Sequence, residues 1–219
     1  GAGSLTVGSG GITMTLPTTT SLTHTISESN LILAASQTWA VTNNGAGLAQ
    51  LNVSSVISGS TLGISKTGSG TLQLSGVNTY TGATNINAGT FILNGTFGRT
   101  ATTVASGARL GGAGRIGDSA GGSVTAASGA SIAPGTAGQA GLLRLAALTL
   151  NGTTLSYDLS GTPGGSNDRI TTQNLLKISG TQNFLFTLSN GNLGAGTYTL
   201  IDGGNNTTLT SAAFTHNLP

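Results

Sequence analysis

Residues 66–95 read KTGSGTLQLSGVNTYTGATNINAGTFILNG, and two short phrases inside that stretch decide the fold. GTLQL begins at Gly70 and GTFIL at Gly89, a step of about 20 residues. In each, apolar side chains fall at alternate positions, Leu72 with Leu74 and Phe91 with Leu93. A period of two is the mark of a strand with one buried face. The alternation returns at Leu148 with Leu150 and at Tyr198 with Leu200. Related phrases follow at comparable steps, as GARLG from Gly107, GASIA from Gly129 and GTTLS from Gly152. Here Leu110, Ile132 and Leu155 stand one place further from their glycine, so a slipped register or a bulge must be allowed there.

Between these phrases lie Ser75-Gly76-Val77-Asn78, Asn94-Gly95 and Gly111-Gly112-Ala113-Gly114, clusters whose glycine and asparagine tolerate positive φ and predict turns. That punctuation leaves no room for a long helix. A strand-turn unit of ~20 residues cannot bury its apolar face alone, so successive units must stack and share one core. The expected fold is therefore all-β, a parallel β-helix or β-solenoid of about ten coils and roughly 50 Å in length, at ~4.8 Å per coil. An antiparallel sandwich or barrel would need alternating hairpins. The like-to-like recurrence of Gly-Thr-apolar argues for parallel stacking instead.

Composition narrows the function. Only 5% of the 219 residues are charged, while 37 are glycine and 37% are hydrophobic. A disordered chain combines low hydrophobicity with high net charge, so this one can bury a core. The net charge of +2 arises from seven basic and five acidic residues. Lys66, Arg99, Arg109, Arg115, Arg144, Arg169 and Lys177 are scattered singly, without the clustered basic patch and stacking aromatics that nucleic acid requires. Cysteine is absent, which excludes disulfides and thiol chemistry. No run approaches the ~18 apolar residues of a membrane helix, so no direct membrane insertion is expected of this chain.

The stretch from Lys66 through Gly95 closely resembles the passenger-associated, or autotransporter-associated, repeat of bacterial autotransporter proteins. QTWAVTNNGAGLAQLNVSSVISG from Gln37 resembles the segment that often precedes it. GARLGGAGRIG, GASIAPGTAG, LTLNGTTLSYDL and SNDRITTQNLLKISG resemble what usually follows. The resemblance implies a right-handed parallel β-helix passenger domain, secreted and displayed at, or released from, the outer cell surface of a Gram-negative bacterium. It implies no shared chemistry, because passengers of this fold place their activities in inserted loops or domains. It divides residues 1–219, taken as one β-helix domain, into N-terminal coils 1–65, the repeat 66–95 and C-terminal coils 96–219. The C-terminal membrane barrel of such proteins is not found before Asn217-Leu218-Pro219, so a fragment, a cleaved passenger or another export route is expected.

Candidate chemistry is thin. Glu28, Asp118, Asp158, Asp168 and Asp202 must supply any carboxylate pair for glycoside cleavage or polysaccharide lysis, and only the last three share one third of the chain. His24 and His216 stand at opposite ends, and no ligand set with metal spacing can be written. Gly117-Asp118-Ser119-Ala120-Gly121 matches GxSxG and Gly112–Gly117 matches GxGxxG, but neither has the strand before and helix after that its chemistry needs, so both read as turns. Thr-x-Thr pairs at Thr23/Thr25, Thr79/Thr81, Thr100/Thr102 and Thr197/Thr199 do not keep the period of an ice-binding array and read as stacked strand hydroxyls. Trp39, Tyr80, Tyr157 and Tyr198 could stack on carbohydrate, with coil packing the expectation for Trp39 and Tyr80. No catalytic residue, metal site or cofactor is assigned.

The ends carry the remaining signal. GSLTV and GGITM read as strands with no capping helix before them, and FTHNLP leaves a last coil unfinished. Unpaired strand edges with few charges invite pairing with another copy, head to tail or by strand donation. Capping sequence outside this stretch is the alternative. The expected function is thus a non-enzymatic structural surface protein that assembles into a fibre or sheath. An autotransporter-type adhesin that binds host or neighbouring cells, with cell-surface glycans as a candidate partner, comes next, and a polysaccharide-processing enzyme after it.

Overall fold

The computed structural model describes residues 3–136, 138–189, 191–203 and 207–216, the last of these by backbone alone. Every strand pairing outside a few isolated turn bridges is parallel, and among the described residues there is no helix. The chain is a β-solenoid. One ladder starts Ser4–Val7, Asn30–Leu33, Val56–Ser58. It continues through backbone bonds from Thr79 to Ile57 and from Asn78 to Thr96, into Thr96–Phe97 and Arg115–Ile116. A second runs from Ile12–Thr15 through Gln37–Thr42, Ile64–Thr67 and Thr84–Ile86. A third runs from Leu22–Ile26 through Ala49–Val53, Thr71–Leu74 and Thr90–Leu93.

The second ladder counts the coils. In register it stacks Ile12, Trp39, Lys66, Ile86, Val104, Ala126, Leu150 and Ile178. The expectation of about ten coils is corrected to about seven. The ~20-residue step of the sequence repeat holds only in the middle of the rod. The climbs from Ile12 to Trp39 and from Trp39 to Lys66 take far more chain than that from Ile86 to Val104, and the climb from Leu150 to Ile178 is long again. Longer turns consume the difference without adding height, so this stretch is roughly 34 Å long at ~4.8 Å per coil.

The slipped register allowed for at Leu110, Ile132 and Leu155 does not occur. Leu72, Phe91, Leu110, Ile132 and Leu155 lie in one continuous register. The extra residue after Gly107 is absorbed before the strand, where Gly107 takes φ of 77° and the Ala108 amide donates back to Ala105. Register wins because a one-residue slip inside the strand would turn every apolar side chain outward. The same five side chains are fully buried, so the inner face is one dry column.

Glycine recurs at one corner for a steric reason. Gly76, Gly95 and Gly114 stack there, and a Cβ on Gly95 would collide with the Gly76 carbonyl, as one on Gly114 would with that of Gly95. The coils approach through bare backbone. Gly95→Ala is therefore expected to lower the unfolding free energy by about 2–3 kcal/mol, the usual penalty of overpacking. Equilibrium urea unfolding measures it, and a variant matching the parent would show slack in that corner.

Polar side chains seal other corners. Asn78 is buried; its Oδ1 accepts from the Ile57 amide, and its Nδ2 donates to Gly76 and Thr96 carbonyls, tying neighbouring coils together. Gln37 donates to Val7, Gly8 and Ala35 carbonyls, and Gln182 to those of Ser179 and Gly180. Lys66, inside the repeat, is fully buried and gives its three N–H groups to Thr67, Gly68 and Ala88 carbonyls at 2.8, 2.8 and 3.1 Å. Burial lowers its pKa from an ordinary 10.5 to about 8, so at neutral pH it remains an ammonium with every proton engaged.

Candidate functional site

The candidate site is built where the loop 160–167 runs through Asp168 into the strand Arg169–Leu188, with burial alternating along Asp168-Arg169-Ile170. Asp168 turns inward and is buried, while Arg169 next to it is exposed. The Asp168 carboxylate accepts from the Gly141 amide at 2.6 Å and the Asp158 amide at 2.8 Å, and its own amide donates to the Asp158 carbonyl. Burial raises its pKa to about 6, against the pull of those two amides. Asp158 in turn accepts from the Gly138 amide at 2.7 Å. Both carboxylates thus hold backbone amides, and together they fasten the turn around Gly138 and Gly141 to the strand Thr154–Leu159.

The next loop, 160–167, is fixed from within. Asn167 Nδ2 donates to Thr162, Pro163 and Gly165 carbonyls, while its Oδ1 accepts from the Ser160 amide and hydroxyl. Between the two loops and residues 197–199 opens a cleft of about 570 Å³, bordered by Gln139, Leu142, Pro163, Ser166, Arg169, Thr197 and Thr199. A smaller hollow of about 240 Å³ adjoins it across Gln139 and Ser166 and reaches Asp158.

Of the three acids that share the C-terminal third of the chain, Asp158 and Asp168 come together. Asp202 stands on the strand Ile201–Asp202, in register with Thr171. Asp118 closes a tight turn instead. It accepts from the Ala120 amide at 2.8 Å and pairs with Arg99 at 3.1 Å, and these contacts hold its carboxyl below the usual range. Ser119 is exposed on that same turn, so the GxSxG match is a turn, whereas the GxGxxG match is corrected: Gly112 ends one strand and Arg115–Ile116 forms the next, with only a corner between them. His24 is exposed on the first rung, Glu28 is half-buried, and the His216 side chain lies outside the described residues. Among the described residues no three of His, Cys, Asp or Glu come together.

Trp39 and Tyr80 pack in the core as expected, Tyr80 with its hydroxyl 2.7 Å from Thr84. Tyr157 is also buried, stacked on Phe184 and Phe186, and Tyr198 is half-buried. Of the Thr-x-Thr pairs, Thr100 and Thr102 are buried and Thr197 and Thr199 border the cleft. Thr23 and Thr25 stand outward on their strand in register with Gln50 and Asn52, and a longer outward row of hydroxyls and amides runs along Thr38, Ser65, Asn85, Thr103, Thr125 and Thr149. No sequence motif marks the roles of Asn78, Asn167 and Arg169. A signal exists for Lys66, since period two from Ile64 places it on the buried face.

The fold defines a class, a parallel β-solenoid whose coils share one core. Within it, residues 64–93 match the family model described as the passenger-associated-transport-repeat, and this repeat is typical of autotransporter passenger domains. The repeat family implies a secreted or outer-surface protein. No curated protein matches the chain.

Proposed function

We propose that this chain is a stretch of a non-enzymatic β-helical passenger at the surface of a Gram-negative bacterium, and that its work is structural. The rod extends by stacking the last coil of one copy on the first rung of the next, giving a fibre or sheath. The ladders carry this reading. Each strand of a coil is bonded in parallel to the equivalent strand of the next, from Ile12–Thr15 through Thr84–Ile86 and from Leu22–Ile26 through Thr90–Leu93. Such stacking can be continued by a coil of another copy, and the low charge of the chain does little to prevent it.

Electron microscopy and sedimentation of the 219-residue chain over a concentration series test this. Filaments that lengthen with concentration are expected; short monomeric rods at every concentration would remove the assembly reading. The cleft favours a second reading, surface attachment through a bound ligand.

A further inference from the structure

We infer that the cleft beside Arg169 binds a saccharide bearing a carboxylate. The inference rests on the attachment reading and is independent of fibre assembly.

Its walls are built before any ligand arrives. Asn167 engages both ends of its amide within the loop 160–167, and Asp168 and Asp158 hold the amides of Gly141, Asp158 and Gly138 with their carboxylates. Preformed walls need no ordering when a ligand binds. The Arg169 backbone is pinned by its amide bond to the Gly141 carbonyl, while its side chain stands exposed at the cleft. Arg99 with Asp118 is the ion pair found among the described residues, and Arg169 has no acidic partner there. A guanidinium fork without a partner, on a rigid rim, suits a carboxylate.

The rest of the lining selects the class. Ser166, Thr197, Thr199 and Gln139 present hydroxyl and amide groups, and Pro163 and Leu142 supply small apolar faces against which the C–H side of a sugar ring can rest. An acidic peptide is less well served. Extended peptides bind by adding to a free strand edge, and beside the cleft the start of the strand Arg169–Leu188 is already paired on both sides, with Leu142–Asn151 on one and Ile201–Asp202 on the other.

Titration calorimetry with sialyllactose and trigalacturonic acid, against lactose and maltotriose as neutral counterparts, tests the inference. An acidic saccharide is expected to bind about tenfold or more tightly than its neutral counterpart, with the advantage shrinking as salt is raised. Whichever acidic probe binds identifies the source, a sialylated glycan or a uronate polymer. Arg169→Gln should reduce the acidic probe to the neutral level, and Arg169→Lys should fall between, because it keeps the charge and loses the fork. The side chain is exposed, so both variants should melt with the parent.

Equal binding of acidic and neutral sugars, or an Arg169→Gln variant that binds like the parent, would overturn the carboxylate assignment and leave attachment standing. Tighter binding of an acidic peptide than of either acidic sugar would overturn the ligand class. No binding of any probe would overturn the inference together with the attachment reading.

Discussion

Phe91→Ala is expected to destabilise the solenoid by about 4 kcal/mol, the upper part of the range for truncating a buried aromatic. Phe91 is fully buried near the end of the repeat, between Leu72 of the coil before and Leu110 of the coil after. Its ring also meets that of Phe97 edge-on at 5.8 Å, and Phe97 meets Tyr80 at 5.5 Å. Truncation therefore opens a hole against the coils above and below and removes one member of an aromatic cluster. The neighbours cannot close it, because each is held by parallel ladders on both sides. Calorimetric unfolding reads the loss, and hydrogen exchange should place it in the coils on either side, since a solenoid couples nearest neighbours. A loss below about 1 kcal/mol would mean that the central coils are loosely packed.

Lys66 should make the protein more stable in mild alkali. The folded chain releases the Lys66 proton near pH 8, while the unfolded chain holds it until about 10.5. Between those values the unfolded state binds more protons, so stability rises with pH across that window. From pH 7 to about 9.5 the gain is about 2 kcal/mol, after which ionisation of tyrosines in the unfolded chain begins to oppose it. Tyr80 and Tyr157 join that opposition because burial drives both hydroxyls well above their ordinary range. Lys66→Met keeps the apolar stem and should flatten the rise. Denaturant midpoints at several pH values decide the matter; the same slope in parent and variant would locate the alkaline gain elsewhere.

How much of the molecule is legible in advance follows the physics of each element. Alternation at Leu72, Leu74, Phe91 and Leu93 is a property of single strands, so the sequence shows it directly, and the like-to-like spacing of those strands shows their parallel stacking. Coil number is harder to read because turn length leaves no mark on height: the long segment from Ile12 to Trp39 climbs one rung, as does the much shorter one from Ile86 to Val104. The polar corner residues stay hidden for another reason. The acceptors of Lys66 and Asn78 are backbone carbonyls that exist as partners only once coils are stacked. The cleft is more hidden still, since Gln139, Arg169 and Thr197 come from separate turns of the rod and carry no motif. Asp158 and Asp168 stand out as neighbours in the sequence, but their work is to anchor loops.

The direction of the ladders sets how the rod yields to a pull. Its strands lie across the long axis, so the hydrogen bonds between coils run along it. Tension applied at the two ends loads one rung of bonds at a time, as in opening a zip, and never shears all rungs together. Each coil that peels away frees a full circuit of chain, and a circuit of ~20 residues reaches roughly 65 Å at ~3.3 Å per residue. Anchored by its ends, such a rod would lengthen in discrete steps at modest force and dissipate work at each one.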